Sequence, residues 1–301
     1  MERPVTCYRE YAPHPALARR IRAFFSFGPA RSEPRLADRI TREVRFGAGA
    51  AYSATFADGD GSIVIELGRV GQADGLWQDA AARASATVLG AMSRAGGAHG
   101  PDLPEMVGAY FRPAEAQTFT GVPGRVLADR IVPLDGLWGA EARTLPERLR
   151  EVELPACLEL LEATLLRRLA ATRGGPATLD LPRLLGWIRA ERGQLSVERL
   201  ARAAAVTRQH LARVFRERVG LSPKRYCRIA RFQSALGALG AGPPVNWAGL
   251  AERCGYADQS HLIAEFRELS SLTPHRLVSE RRFHPFIERA RAGRASRFAD
   301  A

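Results

Sequence analysis

Apolar positions change period twice along this chain. After Pro13 and Pro15, residues Leu17, Ile21, Phe24 and Phe25 recur at helical intervals and predict an opening helix over 13–27. A polar, proline-containing loop is expected over 28–39. Short runs then predict strands at 42–46, 52–56, 62–67, 84–89 and Met106–Phe111, separated by Gly and Asp clusters. Strands this short and this closely spaced suggest a small barrel or sandwich. Helical spacing returns over 155–170, where Leu154, Cys157, Leu158, Leu161, Leu165 and Leu169 form one stripe. That stripe either packs on its own β-rich domain or joins a second copy as a dimerisation helix. Arg173-Gly174-Gly175-Pro176 reads as a linker, and the Ala/Arg/Gly-rich stretch from Arg289 as a frayed tail. The expected architecture is α+β with two domains. A β-rich, barrel-like domain with flanking helices covers 1–172, a linker covers 173–180, and an all-α tandem helix-turn-helix domain covers 181–288.

The C-terminal part contains one pattern written twice. Leu200-Ala201, Ala205-Val206-Thr207, Leu211, Phe215 and Gly220-Leu221-Ser222-Pro223 form the first copy. Leu250-Ala251, Gly255-Tyr256-Ala257-Asp258, Leu262, Phe266 and Ser271-Leu272-Thr273-Pro274 form the second. Each copy reads as a short helix, a tight turn, a second helix and a Ser/Thr-Pro start to another helix. The helix-turn-helix units are placed at about 196–218 and 246–268. Ser196, Thr207 and Asp258 stand where N-caps belong.

Charge follows the repeat. The chain carries a formal net charge of +12, yet residues 1–172 have 21 arginines against 21 acidic residues. All of the excess lies beyond residue 172, the electrostatic footprint expected of a protein that meets phosphates. Cys7, Cys157, Cys227 and Cys254 form no CxxC pair, so neither a disulfide framework nor a zinc site is expected. Residues 1–172 contain only His14 and His99, too few for a multi-histidine metal centre. No P-loop, GxSxG or strand-following GxGxxG is present, and Asp58-Gly59-Asp60-Gly61 lacks the spaced ligands of a calcium loop and reads as a turn. No catalytic residue, metal or cofactor is expected. The N-terminus has no apolar signal core and no run is long enough to span a bilayer, so a cytoplasmic protein without a membrane partner is expected.

On the second helix of the first unit, Leu211, Val214 and Phe215 face inward, leaving Arg208, Gln209, Ala212, Arg213 and Arg216 outward. A recognition helix needs this combination of an apolar seam and long polar side chains. Arg can bond guanine O6/N7 in a bidentate way, and Gln can do the same for adenine N6/N7. Arg213 is therefore the first candidate for reading a base and Gln209 the second, while Arg208 and Arg216 are assigned to phosphates. Thr207 joins this set. His210 either donates to a phosphate or packs between helices. In the second unit Gln259, Ser260, Ile263, Ala264 and Arg267 face outward. Ile263 either touches a thymine methyl or packs, and Tyr256 is assigned to the core.

Residues 183–282 resemble the C-terminal domain of AraC/XylS-type transcriptional regulators. The resemblance is carried by the tandem units, by Val219-Gly220-Leu221-Ser222-Pro223, and above all by Gly255-Tyr256-Ala257-Asp258-Gln259-Ser260-His261-Leu262 through Phe266 with Leu272-Thr273-Pro274. It implies two three-helix subdomains joined by a long helix, here 223–239, with recognition helices entering successive major-groove segments on one DNA face. Residues 1–172 resemble the cupin-like sensory domain of one branch of this family. The carriers are Tyr11-Ala12-Pro13, Pro15-Ala16-Leu17 with Ile21, Tyr110-Phe111-Arg112-Pro113, Gly121-Val122-Pro123, and Leu127, Asp129-Arg130 and Val132-Pro133-Leu134.

Three departures from the family pattern bear on mechanism. Ala205 replaces the usual turn glycine, Ser271 stands where the first copy has Gly220, and Ala264 occupies a position where a basic residue is common, with Glu265 next to it. The second recognition helix is accordingly expected to read fewer bases. The function expected is sequence-specific transcription regulation, with an effector or partner acting on residues 1–172. Its expected partners are double-stranded promoter DNA, a small-molecule effector, RNA polymerase and, through 155–170, a second copy. Tyr110 and Arg112 are candidate effector contacts, a structural salt bridge being the competing role for Arg112. The alternatives are a sequence-independent DNA-coating or architectural protein and a metal-free enzyme in the N-terminal domain.

Overall fold

The computed structural model describes residues 6–30, 33–46, 57, 59–67, 84–95, 105–172, 179–239 and 246–279. The strand expected over 52–56, Asp58 of the expected turn, His99, residues 173–178 of the expected linker and the expected C-terminal tail lie outside the described residues. Seven strands, β1 (Thr6–Tyr11), β2 (Ile21–Pro29), β3 (Ile40–Phe46), β4 (Ser62–Glu66), β5 (Ala86–Leu89), β6 (Met106–Phe111) and β7 (Ile131–Pro133), form one antiparallel sheet. Their order is β3-β1-β2-β6-β4-β5-β7. Among the described residues five α-helices flank the sheet: α1 (Ala116–Thr120), α2 (Gly124–Leu127), α3 (Asp135–Trp138), α4 (Ala140–Arg150) and α5 (Leu154–Ala171).

The opening helix expected over 13–27 is absent; residues 21–29 are β2. This strand lies between β1 and β6, and both of its faces are covered. Ile21 and Phe24 join Ile63, Val107 and Phe111 in the cluster beneath the helices, while Phe25 and Phe27 join Tyr8, Val64 and Leu89 on the opposite face. A strand buried on both faces loses the apolar-polar alternation, and its run of aromatics mimics a helical stripe. The stripe on α5 does have helical spacing. Cys157, Leu158, Leu161 and Leu165 are buried in the same cluster as the sheet, so the apolar face expected to serve either packing or dimerisation is spent on the protein's own sheet.

From residue 179 onward the described residues form helices: α6 (Leu181–Ala190), α7 (Val197–Ala203), α8 (Arg208–Arg218), α9 (Pro223–Ala238), α10 (Trp247–Arg253), α11 (Gln259–Ser270) and α12 (Pro274–Ser279). The long helix expected over 223–239 is α9. Its aromatic side chains receive one phenylalanine from each copy of the repeat, Phe215 edge-on to Tyr226 and Phe266 edge-on to Phe232, with centroids 6.3 and 4.9 Å apart.

The two halves meet along α9 and at the C-terminal ends of α8 and α11. Gly124 and Gly220 face each other so closely that a Cβ on Gly220 would lie 2.7 Å from the Gly124 carbonyl oxygen. Arg125 Nε donates to Glu217 Oε2 at 2.8 Å. At the other unit the Ala57 amide donates to the Leu269 carbonyl at 3.1 Å. Arg225 donates to the Ser93 carbonyl and also holds Glu268 of α11.

Candidate nucleic-acid interface

Each unit is built by the same local chemistry. The Ser196 hydroxyl accepts the Arg199 amide at 3.2 Å and the Thr207 hydroxyl accepts that of His210 at 3.1 Å, fixing where α7 and α8 begin. In the second copy Asn246 and Asp258 do the same for Gly249 (3.0 Å) and His261 (2.7 Å). Each such bond satisfies an otherwise unpaired N–H and contributes about 1 kcal/mol. Leu200, Ala201, Leu211 and Phe215 are buried in the first copy, as are Leu250, Ala251, Leu262 and Phe266 in the second. Burial of one face of α8 and α11 turns the other to solvent.

On α8 the residues exposed are Thr207, Arg208, Gln209, Arg213 and Arg216, with His210 half-buried. Arg208, Gln209, Arg213 and Arg216 share one polar face, whereas Ala212, expected outward with them, is half-buried. Two are restrained. Arg208 Nη1 donates to Glu198 Oε1 at 2.9 Å, tying α8 to α7, and Arg213 Nη2 lies 3.4 Å from His210 Nδ1. His210 thus touches the side chain assigned to base reading. Backbone hydrogen bonding, followed by the bond from Arg208, holds the Glu198 carboxyl below its usual range. Arg216 projects from the last turn.

On α11 Gln259, Ser260, Ala264 and Arg267 are exposed, and Ile263 is half-buried and packed against the helical core. Of its two roles, packing is the one the contacts support. Glu265 faces inward: it is 6% exposed and accepts from Arg228 Nε of α9 at 2.8 Å. Arg228 and Arg225 also bind Glu268, and these bonds outweigh burial in lowering its carboxyl. The sequence gives Glu265 only as the neighbour of Ala264 on the recognition helix; its partner lies 37 residues away and has no local signal. Tyr256 is buried with its ring edge-on to His261, consistent with a core role.

In the N-terminal half, Tyr110 lies against Phe25 with centroids 4.6 Å apart and within 3.3 Å of the Tyr8 hydroxyl. Arg112 is exposed and donates to the Ala18 carbonyl at 2.8 Å, so it braces the chain between β1 and β2. Asp60, assigned to a turn, carries more than a turn: its buried carboxylate accepts from Arg22 of β2 and from Arg189 of α6, the latter at 2.8 Å. Among the described residues no helix is long and apolar enough to cross a membrane.

Residues 200–280 match the family described as a helix-turn-helix domain. No curated protein sequence matches the chain. Among solved structures, the xylose-binding transcription activator XylR is 18% identical over 39% of this chain and 37% of its own, with a TM-score of 0.29. The chain thus spans well under half of that activator. ToxT from Vibrio cholerae O395 is 9% identical over 77% of this chain and 92% of its own, with a TM-score of 0.40. An unsaturated fatty acid bound ToxT from strain SCE256 is 11% identical over 76% and 90%, with a TM-score of 0.38. The assignment rests on the domain match and on the two capped units, not on these distant likenesses. Residues 200–280 are a helix-turn-helix domain.

Proposed function

We propose that this protein is a sequence-specific transcription regulator. In this reading residues 181–288 select a promoter site and residues 1–172 make that selection respond to an effector. The observation that carries it is the pair of N-capped helices, α8 and α11, presenting different polar faces from units joined by one helix. Two identical basic faces would suit coating; Arg213 and Gln209 on one helix, with Gln259 and Ser260 on the other, suit reading. Arg208, Arg216 and Arg267 are assigned to phosphates. Ala264 and the inward Glu265 leave α11 with Arg267 as its one outward cation among the described residues, supporting a smaller share of base reading there.

Effector control is proposed on the sheet face carrying Tyr8, Phe25, Phe27 and Tyr110. Tyr110 belongs to that face, whereas Arg112 is engaged by Ala18 and supports a structural role. RNA polymerase is the proposed protein partner. A homodimer through 155–170 would use the exposed Glu159, Ala163, Arg167 and Ala170 rather than the buried leucines. In-vitro selection from a random duplex library with the full-length chain, followed by competition binding at fixed salt, tests the proposal. Enrichment of a motif spanning adjacent major-groove segments supports it. A flat selection with strong, salt-sensitive binding would replace it with the coating function.

A further inference from the structure

The sheet domain touches both recognition helices at the ends opposite to those that enter DNA in helix-turn-helix proteins. Gly124 abuts residues 218–220 at the end of α8, and Ala57 bonds Leu269 near the end of α11. The polar face of α8 and that of α11 stay exposed, so this docking does not occlude them. It fixes one helix relative to the other instead. Between the two contacts lies Gly59-Asp60. Gly59, at φ +67°, rests on α9, where an added Cβ would lie 2.9 Å from the Tyr226 ring. The next residue, Asp60, has its side chain 3% exposed and wedged between two guanidinium groups from different halves of the protein. Arg22 sits over the Tyr110 ring at 4.6 Å, and Arg189 lies 6.0 Å from the centre of the Tyr226 ring. One carboxylate therefore bridges two cations that would otherwise only repel across the junction.

We infer that Asp60 is a positioning residue for DNA recognition: by binding Arg22 and Arg189 together it holds the sheet domain against both helix-turn-helix units and sets the spacing at which they meet DNA. The inference rests on the DNA-reading function proposed above. Arg22 also connects the junction to the aromatic face, because the ring beneath it, Tyr110, is hydrogen-bonded to Tyr8, and Tyr8 donates to Glu10 at 2.7 Å. A molecule displacing Tyr110 would move Arg22 and loosen its hold on Asp60.

Two full-length variants test this. Asp60→Asn leaves Arg22 and Arg189 facing each other without a counter-charge. Arg189→Met removes only the partner in the helical half and keeps the Arg22–Asp60 pair, so the sheet domain retains its own contacts. Hydrogen exchange at the Ala57 amide reads docking directly and should rise at least about tenfold in both variants. Arg45→Gln, which alters an exposed pair on β3, should exchange as wild type. Duplexes carrying the motif selected by the wild-type protein, with or without one inserted base pair (about 3.4 Å of rise), read spacing. Wild type should reject the insertion, and both variants should tolerate it better. Their effects should not add in the double variant, because one acts through the other. Unchanged Ala57 exchange, or unchanged rejection of the insertion, overturns the inference. If the wild-type protein selects no motif, the proposed function fails, and Ala57 exchange still decides whether Asp60 holds the junction.

Discussion

Ala205 and Gly255 occupy the same turn of the two helix-turn-helix units, and both are left-handed, at φ +52° and +72°. A second pair inverts the arrangement: Gly220 after α8 (φ +92°) corresponds to Ser271 after α11 (φ +58°). Each copy thus makes one of its two left-handed turns with a glycine and forces the other on a residue with a Cβ. Left-handed backbone costs a non-glycine residue about 1–2 kcal/mol, partly offset by the greater freedom glycine loses on folding. Ala205→Gly should therefore stabilise the protein by about 0.5–1 kcal/mol, and Gly255→Ala should destabilise it by about 1 kcal/mol or more. Urea unfolding of both variants gives the comparison, and a destabilised Ala205→Gly would mean that the turn is not strained.

Glu66 predicts a pH dependence. It is 8% exposed, its Oε2 has no hydrogen-bond partner among the described residues, and burial raises its carboxyl to about 7 against the opposing pull of Arg150. Because the folded state holds this proton more tightly than the unfolded chain, the contribution of Glu66 is favourable at low pH. It is lost as pH rises from the ordinary carboxylate value through about 7. Glu66→Gln should flatten that part of the stability profile and stabilise the protein above pH 7 by roughly 1–3 kcal/mol. Thermal unfolding across this range, with and without the substitution, checks the sign.

Arg228 and Glu265 test the tie between α9 and α11. Arg228→Met leaves Glu265 buried beside Tyr256 without its main counter-charge. Loss of one partner of a buried pair costs about 3–5 kcal/mol, and partial exposure of Arg228 reduces this to about 2 kcal/mol. Hydrogen exchange should localise the loss to α10 and α11, leaving α7 and α8 protected.

Arg213→Ala and Arg216→Ala should differ in kind. The first should weaken binding to the selected motif by about 1–3 kcal/mol and relax preference at one position. The second should weaken all duplexes alike and reduce the salt slope by about 1. Equal weakening of every sequence by Arg213→Ala removes its base-reading role.

Leu161, fully buried on α5, separates the two uses of the leucine stripe. Leu161→Ala should cost about 2–5 kcal/mol through the cavity it leaves against the sheet, without changing oligomeric state. A shift in sedimentation with unchanged stability would assign the stripe to a dimer.

Much of the helical half was readable from residues near one another in the chain. Caps at Ser196, Thr207 and Asp258, the seam through Leu211 and Phe215, and its copy through Leu262 and Phe266 are all set within one or two turns. Local hydrogen bonds and helical periodicity therefore specify both α8 and α11 and the side chains they expose. The sheet was harder. Strands β4 and β6 follow their patterns, but β2 carries a helix-like apolar stripe because both of its faces are buried, among residues that β1, β4, β5 and β6 bring together only in three dimensions.

The division has a physical cause. Short-range pattern determines which helices form and which polar faces they present, because capping and amphipathicity act between residues a few positions apart. Folding alone decides where a charge finds its counter-charge. Asp60 meets Arg189 across 129 positions, Glu265 meets Arg228 across 37, and the α5 leucines find the sheet rather than a second copy. A carboxylate in a Gly-Asp-Gly run looks like a turn until the packed chain removes water from it and leaves two guanidinium groups as its partners.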